Sequence, residues 1–287
     1  MQIERQRHIR VSGADNQPVL LDAFYDKARR QQPVVIFVHG FKGFKDWGTF
    51  DLIGERMVEA GYGFVKLNFS HNGVPPDAPY EIADPEMFGR NTFSKELTDL
   101  TAVIDWVQST SLIPDDALDR TNINLICHSR GGSIVILASA EDKRVQKGIS
   151  WSAPADLYRR WTAAKYEQWR RDGVYYVTNG RNGAQLPLYW ELAEDMEANR
   201  ERFHIQRAIE TIGKPFMVAH GTEDEAVPQE DAIQLKSWNR DIKLELVPGA
   251  GHTFGGYHPF TETALPQSLD QVVRASILFL GEGTQAD

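Results

Sequence analysis

Short apolar runs alternate along this chain with longer stretches in which apolar positions recur every three or four residues. That is the pattern of strands and helices in turn. "PVVIFVHG" (33–40) is almost continuously apolar before its glycine, as a strand covered on both faces should be. "GFVKLNF" (63–69) alternates Val65, Leu67 and Phe69, and "NINLICHS" (122–129), "VQKGISWSAP" (145–154) and "KPFMVAHG" (214–221) predict further central strands. "IKLELV" (242–247) alternates strictly, which predicts a half-exposed strand near an edge. The first ~25 residues predict an antiparallel hairpin turning at "GADNQ" (13–17).

Helical periods lie between the strands. Phe93, Leu97, Leu100, Ile104 and Val107 form one amphipathic stripe, and Leu269, Val273, Ile277 and Leu280 form another. "DWGTFDLIGERMVEAGYG" predicts a helix capped by Asp46 and stopped at Gly61. The alternation predicts an α/β fold with a mostly parallel sheet and helices on both faces.

One segment interrupts it. Residues 155–213 contain no strong sheet strand, and four of the seven tryptophans fall between 151 and 190. "LYRRWTAAKYEQWRR" (157–171) predicts a helix, "GVYYVTNGRNGAQLPLYW" (173–190) a hairpin around Gly180–Gly183, and residues 191–212 a further helix. Sheet strands flank this segment on both sides. It is therefore expected as an insertion, a lid (155–213) over one end of a core formed by 1–154 and 214–287.

The sharpest chemical signal is "LICHSRGGSIVIL" (125–137), a strand running into a helix with Ser129 at the junction. A serine at such a turn is lifted clear of the sheet by a strained backbone, and the close approach of strand and helix demands small neighbours. Gly131 and Gly132 meet that demand. Cys127, where a glycine is usual, is expected as a buried small hydrophobe. Alone, the fragment fits a helix-capping serine equally well.

Two other strand ends change that balance. Asp224 in "HGTEDEAVP" (220–228) and His252 in "PGAGHTF" (248–254) each follow a strand, on the rim where reacting groups collect in parallel sheets. The order Ser129, Asp224, His252 is that of nucleophile-elbow hydrolases. "HGFKGFKDW" (39–47) opens on the same rim, so the backbone N–H groups of Phe41 and Arg130 are candidates to bind a developing oxyanion. Of the other histidines, His39 and His220 are expected to shape turns, His128 to point away from Ser129, and His71 and His258 to border the pocket. Asp156 is the alternative acid.

The segments "FVHGFKG", "LNFSHNG", "LICHSRGG", "HGTEDEAVP" and "GAGHTF" together resemble the α/β-hydrolase superfamily, with similarity to cinnamoyl (feruloyl) esterases and dienelactone-hydrolase-like enzymes. The resemblance implies an eight-stranded, mostly parallel sheet with a lid after strand 6. It also implies a serine carboxylesterase using Ser129 as nucleophile, Asp224 as acid, His252 as base and Phe41 and Arg130 as oxyanion donors. A peptidase, a thioesterase or a non-catalytic binding protein on the same scaffold is the alternative. Dienelactone hydrolases proper carry Cys where Ser129 stands. The aromatics Trp161, Tyr166, Trp169, Tyr175, Tyr176, Tyr189 and Trp190 stand either as an acyl pocket or as the insertion's own core.

Composition narrows the partners. A formal charge of -9 opposes nucleic acid or an anionic membrane as partner, and no apolar run approaches the ~20 residues of a membrane span. "MQIERQRHIRVSG" does not read as a secretory signal, and the single cysteine excludes an internal disulfide, so a cytoplasmic setting is expected. No phosphate-binding loop, dinucleotide fingerprint or metal motif is present, so no cofactor and no metal are expected. The expected partner is a small-molecule acyl substrate; a homodimer stays open.

Overall fold

The computed structural model describes residues 1–282 of the chain. The last part of the expected core, 283–287, lies outside the described residues. Eight strands form the main sheet: β1 (Ile3–Ser12), β2 (Pro18–Asp26), β3 (Gln32–Val38), β4 (Gly63–Asn68), β5 (Leu118–His128), β6 (Val145–Trp151), β9 (Phe216–Gly221) and β10 (Lys243–Val247). Their spatial order is β1-β2-β4-β3-β5-β6-β9-β10. Only β2 runs against its neighbours. This is an α/β-hydrolase fold.

The central strands are apolar on both faces because each face carries helices. Val34, Ile36 and Val38 of β3 join one core cluster, while Val35 and Phe37 join the other. Helices α3 (Phe93–Ser109), α4 (Arg130–Glu141) and α8 (Glu230–Trp238) cover the first face; α1 (Phe50–Glu59) and α9 (Gln267–Gly281) cover the second. A short helix α2 (Pro85–Gly89) precedes α3. Among the described residues no helix is long and apolar enough to cross a membrane.

Asp46 does not cap a helix. α1 begins four residues later, at Phe50. Asp46 instead joins a buried charge network in which Lys45 Nζ lies 2.9 Å from Asp22 and 2.6 Å from Asp46. Lys66 Nζ lies 3.3 Å from Asp22 and 2.7 Å from Asp46, and also pairs with Asp51. Burial alone would raise the Asp22 pKa, but Lys66 and Lys45 reverse this and hold it at about 2. The three carboxylates converge closely enough to suggest a cation site, yet the two ammonium groups already lie among them.

Between β6 and β9 the chain leaves the sheet. It forms α5 (Ala163–Asp172), a two-stranded ribbon of β7 (Val174–Thr178) and β8 (Gln185–Tyr189), then α6 (Trp190–Ala198) and α7 (Ile205–Thr211). Two expectations are corrected here. The first helix starts at Ala163, capped by Thr162, because residues 156–161 form turns held by Asp156 and Tyr158. The helix expected over 191–212 is two helices, because the chain turns at Asn199 and buries Phe203 edge-on against Phe93 of α3, 5.6 Å between ring centres.

The segment's aromatics mostly pack on one another. Trp169 is fully buried, stacked on Trp161 at 4.3 Å and edge-on to Trp190 at 5.8 Å, and its indole N–H donates to the Leu188 carbonyl. Tyr176 is exposed, and the Tyr189 hydroxyl pairs with Glu86. Of this group only Trp161 also reaches the cavity described below.

Candidate active site

β5 ends at His128, and α4 begins two residues later, leaving one residue to reverse the chain. Ser129 does so at φ 57°, ψ −131°, a strained conformation for a side-chain-bearing residue. The crowding is backbone to backbone. A Cβ on Gly131 would lie 2.5 Å from the His39 carbonyl oxygen, and one on Gly40 would lie 2.9 Å from the His128 carbonyl oxygen and against Ser129. Cys127 is fully buried below the turn, its thiol donating to the Ile149 carbonyl at 3.2 Å, and burial pushes its pKa up.

The loops after β9 and β10 are stitched together. Thr222 N–H donates to Val247, Glu223 N–H to Ala250, and Gly249 N–H to the Thr222 hydroxyl. These bonds bring Asp224 and His252 face to face, with His252 Nδ1 3.0 and 2.9 Å from the two carboxylate oxygens. On its other side His252 Nε2 lies 3.0 Å from Ser129 Oγ. The structure thus joins all three predicted side chains in one chain of contacts.

Asp224 has further support. Its Oδ1 accepts the N–H groups of Ala226 and Val227 at 2.9 and 2.8 Å, and its Oδ2 lies 3.3 Å from His220 Nε2. Burial pushes its pKa up, but hydrogen bonds from His220, His252 and Val227 outweigh it and leave the group well below the usual carboxylate range. It is ionised at neutral pH.

His128 has a role the sequence did not indicate. Its ring packs beside that of His252, 4.8 Å between ring centres, and Nε2 donates to the backbone carbonyl of His252 at 2.8 Å. Burial, with His252 beside it, lowers its pKa to about 3, so it serves as a neutral clamp on the loop that carries His252. The strand position gave no signal for this, because the partner is 124 residues away.

The remaining candidates are elsewhere. His39 is buried, contacts the Gly40 carbonyl and, chiefly through burial, has its pKa lowered to about 4. His258 packs beside Phe44 and accepts the Gly48 N–H. His71 is buried against Ser70. Asp156 lines the cavity, but its Oδ1 accepts the Tyr158 N–H and it makes no bond to His252.

A cavity of about 550 Å³ opens over Ser129, walled by Phe41, Arg130, Trp161, Leu188, Val227 and His252 among others. Phe41 follows Gly40, which touches Ser129, and Arg130 follows Ser129 itself. Among the described residues neither of their backbone N–H groups has an acceptor. The Arg130 side chain turns aside to pair with the buried Glu96.

The chain and its fold have relatives among known proteins. The sequence profile of the alpha/beta hydrolase family matches residues 35–264. An Escherichia coli relative, named as an uncharacterized 31.7 kDa protein in the traX-finO intergenic region, is 29% identical over 126 residues. That match covers 44% of this chain and 39% of that protein, so the chain spans about two fifths of the length of the curated relative it matches. Est1E from Butyrivibrio proteoclasticus, also solved with ferulic acid bound, superposes with a TM-score of 0.65 at 21% identity, covering 96% of this chain and 98% of its own. A puromycin-hydrolyzing peptidase from Mycobacterium tuberculosis superposes with a TM-score of 0.66 at 17% identity, covering 99% of this chain and 40% of its own.

Proposed function

We propose that this chain, which belongs to the alpha/beta hydrolase family, is a serine hydrolase cleaving carboxylic esters of short or aryl acyl groups through an acyl-enzyme. One observation carries the reading: Ser129 Oγ, held in a strained turn at a cavity, lies 3.0 Å from His252 Nε2, whose other nitrogen faces the ionised Asp224.

In this reading His252 takes the Ser129 proton as Oγ bonds to the acyl carbon, and Asp224 orients the imidazole and balances its charge. The oxyanion is received by the N–H groups of Phe41 and Arg130, and each such donor contributes on the order of 10²–10³ in kcat. Collapse of the adduct breaks the bond to the alcohol, which leaves with the proton held by His252. Water then attacks the acyl carbon as His252 takes its proton; the bond to Oγ breaks, and that proton returns to Ser129. The segment 155–213 acts as a lid, with Trp161 as its contribution to the cavity wall. No step calls for a metal or cofactor.

The test is a panel of nitrophenyl esters of graded acyl length. Short or aryl esters should turn over, and Ser129→Ala should lower kcat by at least about 10⁴ while leaving the melting temperature unchanged. Turnover confined to long-chain esters would contradict the acyl assignment; near-wild-type rates in the variant would contradict the mechanism. An anilide of the same acyl group, run alongside, separates esterase from peptidase activity.

A further inference from the structure

The formal charge of the whole chain is -9, yet the cavity over Ser129 is lined by Lys42, Arg130, Arg159 and Arg160 against only two carboxylates, Asp156 and Asp231. Two of the cations are answered within the fold: Arg130 pairs with Glu96, and Arg159 pairs with Asp231. The other two are not. Among the described residues Lys42 and Arg160 have no carboxylate within ion-pair distance. Lys42 Nζ donates only to the Thr178 carbonyl, at 3.1 Å, and the Arg160 guanidinium donates no hydrogen bond at all.

These cations are also crowded together. The Arg130 and Arg160 guanidinium carbons lie 4.5 and 5.2 Å from the centre of the Phe41 ring, and Lys42 Nζ lies 5.6 Å from the same centre. Burial, with a smaller contribution from the neighbouring Arg160 and Arg181, holds the Lys42 pKa below its ordinary value. Lys42 adopts φ 60° in the turn between Gly40 and Gly43, a position where glycine would be less strained. Two cations at one aromatic ring, neither answered by a carboxylate, form an arrangement that an anion from outside would complete.

We propose that the substrate's acyl portion carries an ionised carboxylate, received by Arg160 and Lys42. This rests on the serine-hydrolase reading and names the substrate class for it. The acyl side follows from the direction of proton transfer. His252 protonates the departing oxygen, so the alcohol faces His252, whose partner Asp224 sits in the loop that also lines the cavity with Ala226, Val227 and Pro228. The cations instead gather at Phe41, whose N–H meets the carbonyl oxygen. Among the residues lining the cavity, Lys42 and Arg160 set against Asp156 leave a net of one positive, which a carboxylate matches. Arginine's planar fork suits carboxylate geometry.

The experiment compares kcat/KM for the nitrophenyl monoester of adipic acid with that for nitrophenyl hexanoate, which has the same chain length and no charge. A second pair places a carboxylate or a carboxamide on the phenol of phenyl hexanoate. Labelling of Ser129 by a fluorophosphonate is measured in parallel on the same protein. Wild type should prefer the charged acyl ester by about 10-fold or more at low salt, and the preference should shrink as salt screens it. Arg160→Gln and Lys42→Gln should each reduce that ratio several-fold, and Arg160→Lys should keep part of it, with melting curves confirming folded protein. A ratio at or below one in a protein whose Ser129 is labelled overturns this inference and leaves the hydrolase reading standing. So does a ratio that Arg160→Gln does not move, or a preference seen only for charge on the phenol. Absence of labelling overturns both.

Discussion

The two walls of the cavity are built on different principles. The wall from the sheet rim holds Ser129, Asp224 and His252 by backbone contacts so tight that side chains are excluded, and His39 and His128 behind it are held neutral by burial. The wall from residues 155–213 is held by stacked aromatics around Trp169 and by polar ties to the core, such as Lys95 to Glu191 at 2.7 Å and Ser94 N–H to Asp195 at 3.0 Å. The first arrangement fixes atoms for chemistry. The second fills space and sets charge, and it is held to the core largely through side chains.

Glycine-to-alanine substitution sharpens this contrast most. A methyl at Gly131 would meet the His39 backbone, which cannot move without shifting the elbow, so Gly131→Ala should cost about 3 kcal/mol and most of the activity. Gly183, in the ribbon turn of the other wall, has φ 73° and nothing within 4 Å of an added methyl. Gly183→Ala should cost only about 1 kcal/mol from its backbone conformation and leave ester turnover near wild type. Chemical unfolding of the two variants checks the pair; equal losses would erase the distinction.

A smaller effect comes from pH. The ordinary histidine pKa is 6.5, and burial lowers His128 to about 3 and His39 to about 4, so the unfolded chain takes up protons first as pH falls. Stability is therefore intact above pH ~6.5 and lost as pH falls toward the folded values, by about 2 kcal/mol per histidine at pH 5. Asp99 works in the opposite sense: burial raises its pKa to about 6, so its contribution is lost as pH rises. His128→Gln keeps a donor for the His252 carbonyl and removes one titration. The fall in unfolding free energy between pH 7 and pH 5 should shrink by about 2 kcal/mol in this variant. An unchanged fall would mean that His128 is not held neutral as described.

The same contrast governs what the sequence reveals. Ser129, Asp224 and His252 can be located in advance because each follows an apolar strand directly, and a parallel sheet brings such ends to one rim. The tie from His128, the ion-pair role of Asp46 and the break of the last insertion helix at Asn199 depend on partners far along the chain: the His252 carbonyl, Lys66, and Phe93 beneath Phe203. Local periodicity holds no record of those partners. The cation pair of Lys42 and Arg160 belongs with them, since 118 positions separate two residues that meet only at the Phe41 ring.

The central claim is that His252 activates Ser129 as a nucleophile. Incubation of folded protein with a fluorophosphonate, followed by intact mass and peptide mapping, tests it directly. The account predicts one adduct, on Ser129, forming rapidly in wild type and at least about 10³-fold more slowly in His252→Ala. No adduct, an adduct on another residue, or an equal rate in the variant would contradict it.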